Sequence, residues 1–155
     1  MLDQTDVKII ELLLNDAKQS HDSIADELAL SRSAIHRRIN RLQSFGVIEQ
    51  FLIRIDWQKL GYTLDVFISI FVNTKDFRSL QEQLMSVAGD GVVIEECYRV
   101  TNKYGFMLRV KTKSLSDLTN LYDELLKIED VAETNTMFVL DEKHIKIEIP
   151  PISEE

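Results

Sequence analysis

The chain of 155 residues has one cysteine, two prolines, five glycines and three histidines. A single thiol, Cys97, excludes an internal disulfide, and within an apolar strand it is expected to serve as a small buried hydrophobe. Histidines at positions 21, 36 and 144 are too scattered to supply the closely spaced ligands of a structural zinc site, so no metal enters the reading. No motif calls for a cofactor. No apolar run approaches the ~20 residues that span a bilayer, and the opening MLDQTD has neither the basic end nor the apolar stretch of a secretory signal. A cytoplasmic protein is expected. Internal repeats, low-complexity tracts and flexible linkers are absent from the sequence.

What is present is enough apolar material for a core and an uneven distribution of charge. A hydrophobic content of 45% with a mean hydropathy of −0.10 fits a globular class. The net charge is −8, yet residues 31–45 hold Arg32, Arg37, Arg38 and Arg41 and no carboxylate. A cationic helix on an acidic protein points to a polyanion met on one face only, because the rest of the molecule repels it.

Periodicity supplies the frame for that helix. Asp3 or Thr5 can cap a first helix near 4–18, with Val7, Ile10, Leu14 and Ala17 at helical spacing. Ser20 can cap a shorter helix through Leu28, and Ser31 a third helix whose Ile35, Ile39 and Leu42 repeat inward until Gly46 ends it. Three short helices in this order form a helix-turn-helix unit, and the run Val47–Ile55 would add the strand of a winged version.

Beyond Gly61 the period changes to that of strands. A strand at Leu64–Val72, a helix near 76–87, strands near 92–101 and 106–111, a helix opened by Ser114-Leu-Ser-Asp117 and a strand at 131–140 give the order β-α-β-β-α-β. That order is ferredoxin-like, two helices on one face of an antiparallel sheet, so the fold class is α+β. Residues 1–50 are expected to be the winged helix-turn-helix domain, 51–62 a connecting strand and linker, and 63–155 the ferredoxin-like domain. Leu64–Val72 is apolar on both faces, so the uncovered sheet face should meet another surface, most simply a second copy.

With Ile35, Ile39 and Leu42 inward, a 100° wheel places Ser33, Arg37, Asn40 and Ser44 outward and His36 and Arg41 on the flanks. Arginine can chelate guanine and asparagine can pair with adenine in the major groove. Arg32 and Arg38 lie nearer the core boundary and suit phosphates or internal ion pairs, while Ser31 and Ser33 can offer hydroxyls and amides to a phosphate. The candidate DNA-binding set is therefore Ser31, Arg32, Ser33, His36, Arg37, Arg38, Asn40 and Arg41. Catalysis finds no support: His36 has no nucleophile placed beside it, and Glu95-Glu96 and Asp141-Glu142 should point to opposite faces of their strands. A binding protein, not an enzyme, is expected.

Several segments resemble the feast/famine (Lrp/AsnC) transcription regulators across nearly the whole chain. They are LDQTDVKIIELL, LALSRSAIHRRINRLQSFGVIEQF, KLGY, ECYRVTN and VAETNTMFVLDEKH. The resemblance implies a DNA-binding transcription regulator that dimerises through its sheets, often assembles into octamers of four dimers, and binds a small effector, usually an amino acid, between C-terminal domains. Effector contacts are then expected at Thr101, Asn102, Lys103, Tyr104 and Gly105. The family's turn there usually carries two acidic residues, and this chain has a cation at Lys103 and no side chain at Gly105. A carboxylate could hold an effector's ammonium group and these residues cannot, so either the ligand differs, for instance an acidic one favoured by Lys103, or no amino acid is sensed. Two alternatives are an architectural protein that wraps DNA and a tetrapyrrole (sirohaem-type) decarboxylase on the same scaffold. The latter needs pocket histidines or arginines, and the second domain offers only His144 among histidines.

Overall fold

The structure is a computed structural model that describes residues 2–101 and 103–151. The chain divides into two compact units, Met1–Arg54 with Lys143–Glu155, and Ile55–Glu142. The backbone therefore passes between them twice.

The first unit holds α1 (Gln4–Asn15), α2 (His21–Leu28) and α3 (Arg32–Ser44). Each starts on a side-chain cap. Asp3 accepts the Asp6 amide and Asp6 returns the favour in a full capping box, while Ser20 and Ser31 cap α2 and α3. The connection from α2 to α3 is short because Ala29 takes a left-handed conformation, φ 53°, a shape a non-glycine residue rarely adopts. Gly46, φ 69°, closes α3 as the spacing predicts. Ile9, Leu13, Ile24, Ala25, Ile35, Ile39 and Leu42 form the buried core of the three helices.

Two features of this unit differ from the sequence reading. No strand forms at 47–55 among the described residues: a strand needs a partner for its N–H and C=O groups, and the described residues supply none. Phe51, Leu52 and Ile53 are left 47, 69 and 80% exposed. Residues 143–151, assigned above to the second domain, join the first unit instead. Asn15 exchanges hydrogen bonds with the backbone of Ile147, Nδ2 to O at 3.0 Å and N to Oδ1 at 3.2 Å, and the Ile149 amide donates to Glu11 Oε1 at 2.6 Å.

The second unit holds β1 (Leu64–Val72), α4 (Phe77–Ser86), β2 (Val92–Arg99), β3 (Tyr104–Thr112), α5 (Leu115–Leu126) and β4 (Val131–Phe138), after a 3-10 turn at Gln58–Leu60. The sheet is antiparallel in the order β2-β3-β1-β4, as the ferredoxin-like pattern requires. Alternate residues Val66, Ile68 and Ile70 of β1 and Phe106, Leu108 and Val110 of β3 pack on Leu80, Leu84, Leu118, Leu121 and Leu125 of the two helices. Cys97 packs half-buried against this core, and burial pushes its thiol up. The opposite sheet face carries Phe67, Phe71, Met107 and Met137 in alternation with charged residues.

Candidate functional site

Helix α3 presents the two faces that its period demands. Ile35, Ile39 and Leu42 are buried, while Ser31, Arg32, Ser33, His36, Arg37, Asn40 and Ser44 are exposed. The Ser31 hydroxyl caps the Ala34 amide at 3.2 Å and lies 3.1 Å from the Ser33 hydroxyl. Arg32 sits 3.4 Å from Asp22 in an ion pair exposed at both ends, worth ~0–1 kcal/mol and easily given up to a phosphate. Asn40 Nδ2 and His36 Nε2 are 3.0 Å apart, and the His36 ring lies 5.4 Å from that of His21. Pairing Asn40 with adenine uses one of the two Nδ2 hydrogens, which leaves the other for His36. Arg37 makes no ion pair among the described residues.

Arg38 and Arg41 turn the other way. Both converge on Asp6, which is fully buried: Arg38 Nη1 reaches Oδ1 at 2.8 Å and Arg41 Nη2 reaches Oδ2 at 2.5 Å. Arg38 Nη1 also lies 2.7 Å from Asp3 Oδ2. A carboxylate taken out of water needs compensating charge and hydrogen bonds, which is the physical reason these two side chains are held inside the unit. The sequence leaves phosphate or an internal ion pair open for Arg38 and places Arg41 on the flank of the DNA face. Burial pushes the Asp3 carboxyl up, but the hydrogen bonds from Arg38 and the Asp6 amide outweigh it and leave the group below the usual carboxylate value. Arg38 is raised in turn by its hydrogen bonds to Asp3 and Asp6.

The second unit has its own charge network on the open sheet face. Lys111, nearly fully buried, lies 2.5 Å from Asp65 Oδ2 and 3.6 Å from Glu95 Oε2, while Arg109 reaches Asp65 at 3.1 Å and Glu142 at 2.8 Å. Burial pushes the Asp65 carboxyl up, and the Lys111 and Arg109 hydrogen bonds bring it below its ordinary value. The Glu142 hydrogen bond, followed by that to Asp65, raises Arg109. A bulge between Ile94 and Glu96 brings Glu95 to the face of Arg109, which Glu96 also shares as its register partner. Strict alternation is broken there, so these two carboxylates do not point apart as expected from the sequence. They form no dyad, since Glu95 is taken up by Trp57 Nε1 at 3.0 Å and by the two cations.

At the end of the sheet where β1 stops and β2 turns into β3 there is a cavity of about 460 Å³. Thr101, Lys103, Tyr104 and Gly105 line it together with Val72, Phe77, Val100 and Arg99. Asn102 lies outside the described residues. Arg99 was missed from the sequence, although the motif ECYRVTN contains it; its guanidinium carbon stands 3.9 Å from the centroid of the Phe77 ring. Lys103 Nζ is 4.9 Å from that of Tyr104. A Cβ at Gly105 would fall inside the Val72 side chain, so no side chain has room at this point of the turn in this backbone. The second unit contains no histidine, so of the pocket histidines or arginines that the tetrapyrrole reading calls for, its cavity offers Arg99 alone.

Residues 65–147 match the family model described as the Lrp/AsnC ligand binding domain, and residues 2–49 match a winged helix-turn-helix DNA-binding model. The HTH-type transcriptional regulator FL11 of Pyrococcus furiosus is 34% identical over 150 residues, 97% of each chain. LrpC of Bacillus subtilis is 28% identical over 141 residues, covering 91% of this chain and 93% of the relative. Its solved structure superposes with a TM-score of 0.78 over 94% of this chain and 99% of that one. AsnC of E. coli gives 0.80 at 27% identity, over 96% and 98%.

Proposed function

The chain belongs to the Lrp/AsnC family of DNA-binding transcription regulators, and we propose that it reads duplex DNA with the outward face of α3 under the control of a small molecule held in its second unit. One observation carries the first half: an exposed helical face bearing Arg37, Asn40 and Ser33, with no carboxylate on the helix, in an otherwise acidic protein. Arg37 and Asn40 are the base-reading residues, with His36 beside them. Ser31, Arg32 and Ser33 contact phosphate at the helix start. Arg38 and Arg41 act indirectly, by fixing α3 to α1 through Asp6.

DNA recognition falls to residues 1–50, ligand binding and assembly to the part after the 51–62 connection, and the tail docked on α1 goes with the former. The protein acts by binding and not as an enzyme, in the cytoplasm where its DNA is. No described helix is long and apolar enough to cross a membrane. Apolar residues on the open sheet face and the exposed Phe51, Leu52 and Ile53 support a homodimer as the smallest assembly, extendable to an octamer. Thr101, Asn102, Lys103, Tyr104 and Gly105 are the effector contacts.

Binding-site selection on the full chain, followed by footprinting, tests the DNA reading. Affinity should fall with salt at a slope near −0.9 per phosphate neutralised. A flat salt response, or no binding to duplexes from its own promoter region in dilute buffer, would overturn it. An architectural protein would instead leave a large footprint with weak base preference.

A further inference from the structure

We propose that the cavity between the end of β1 and the β2–β3 turn takes a small organic anion that carries carboxylate and no ammonium group, and that it discriminates against free amino acids. The proposal rests on the second unit being a ligand-binding domain. Its lining brings two cations, Arg99 and Lys103, to one space of about 460 Å³, a volume within the range of small-molecule sites, and includes no carboxylate.

Each part of the wall favours an anion. Arg99 lies over the Phe77 ring, and a guanidinium held on a ring face keeps N–H donors at its edge for a carboxylate. Among the described residues Arg99 makes no ion pair. The Thr101 hydroxyl adds a neutral donor, while Val72, Phe77 and Val100 supply an apolar wall for a short carbon chain.

An ammonium group fares badly in the same space. It needs carboxylate or carbonyl acceptors, and the turn offers a cation at Lys103 and, at Gly105, no room for any side chain beside Val72. The Gly105 carbonyl is already taken by the Val100 amide at 3.0 Å. A zwitterion would therefore bring a third cation to the space beside Arg99 and Lys103, where the lining holds no carboxylate to receive it, and the repulsion counts against it.

2-Oxoglutarate and L-glutamate form a matched pair, since they share a carbon skeleton and both carboxylates and differ at the keto or ammonium position. Titration calorimetry of the full chain should show 2-oxoglutarate or succinate binding at least about tenfold more tightly than L-glutamate, L-leucine or L-methionine, with sodium sulfate as the inorganic control. Arg99→Gln and Lys103→Gln should each weaken the oxoacid about tenfold or more, with folding checked by the unfolding midpoint. Lys103→Asp should narrow or reverse the preference. Amino acids binding as tightly as the oxoacids, in a manner sensitive to Arg99→Gln, would overturn the anion class while leaving the cavity as the ligand site. Oxoacid binding indifferent to both glutamine variants would overturn the site. No binding of either class at millimolar concentration would remove the ligand-controlled reading together with this one.

Discussion

The two units bury charge in opposite senses. In the first, the acid is inside and the bases are at the boundary: the Asp6 side chain is 0% exposed, whereas Arg38 and Arg41 are 26 and 39% exposed. In the second, the base is inside and the acids are at the boundary: Lys111 is 5% exposed, against 20% for Asp65, 32% for Glu95 and 41% for Glu142. The difference bears on function because removing the inner member loosens the outer ones. Losing Asp6 would free Arg41 of α3, the helix proposed to meet DNA, and leave Arg38 to Asp3, whereas losing Lys111 would leave Asp65 and Glu95 to Arg109 on the sheet face proposed to meet a second copy.

The sharpest way to break this contrast is Asp6→Ala. It removes both ion pairs, half of the capping box of α1, and the group that ties α3 to α1. Removing one partner from a buried pair costs about 3–5 kcal/mol, and because both arginines can return to water the expected loss is near the lower end, about 3 kcal/mol of unfolding free energy. Asp6→Asn, which keeps the shape and loses the charge, should fall between this variant and the parent. Denaturant unfolding measures both. An unchanged midpoint would mean that Asp6 does not anchor α3. Next in size is Arg37→Ala, which should weaken sequence-specific DNA binding by about 1–3 kcal/mol and leave the unfolding midpoint within about 0.5 kcal/mol. A filter-binding or mobility assay alongside unfolding separates the two arginine classes, one acting on the fold and the other on the ligand. Equal effects of both substitutions on stability would erase the distinction.

Lys111→Met probes the second unit with a smaller expected effect. The methionine keeps most of the buried stem, and Asp65 retains Arg109 at 3.1 Å and access to water. About 1 kcal/mol of destabilisation is expected, the value of one hydrogen bond to a group that can be rehydrated. A loss as large as that of Asp6→Ala would show that the two networks are equivalent after all.

Much of this was legible in the sequence where local chemistry decides the outcome. Ser31 and Gly46 bracket α3 because a cap and a left-handed glycine act within one turn, and the strand Leu64–Val72 emerges with the ends its alternation marks. The exposed Ser33, Arg37, Asn40 and Ser44 follow from the 100° period, with His36 on their flank, whereas Arg32, which that period puts nearer the core boundary, is exposed as well because it sits in the first turn of the helix. What escaped depends on partners distant in sequence. Asp6, an acidic residue in the first turn of α1, shows no link to Arg38 and Arg41 until the fold places it beside them, and Arg41 stays on the flank of the outer face until it has an acid to meet. The bulge between Ile94 and Glu96 has no glycine to announce it, so Glu95 and Glu96 were assigned to opposite faces. Residues 47–55 have the composition of a strand, but composition supplies no partner. Arg99 becomes notable only when the β2–β3 turn folds it over Phe77.

Acid titration gives the smallest effect and compares the units directly, because each holds a carboxyl below its ordinary value, Asp3 in the first and, besides the exposed Asp56 that Lys59 lowers, Asp65 in the second. A group whose folded pKa is depressed stabilises the fold above its unfolded value, near 3.8 here, and that contribution disappears as pH falls through the folded value. Stability should therefore be level in this respect down to about pH 4 and decline below it. Asp3 is half exposed and its pair with Arg38 is worth ~0–1 kcal/mol after solvent screening, so Asp3→Asn should flatten the acid limb only slightly. Asp65 is 20% exposed and bound by two cations, so Asp65→Asn should flatten it more. Unfolding midpoints measured from pH 6 to pH 2.5 for the parent and both variants decide the order, and the reverse order would place the more tightly held surface carboxyl on the DNA-binding side.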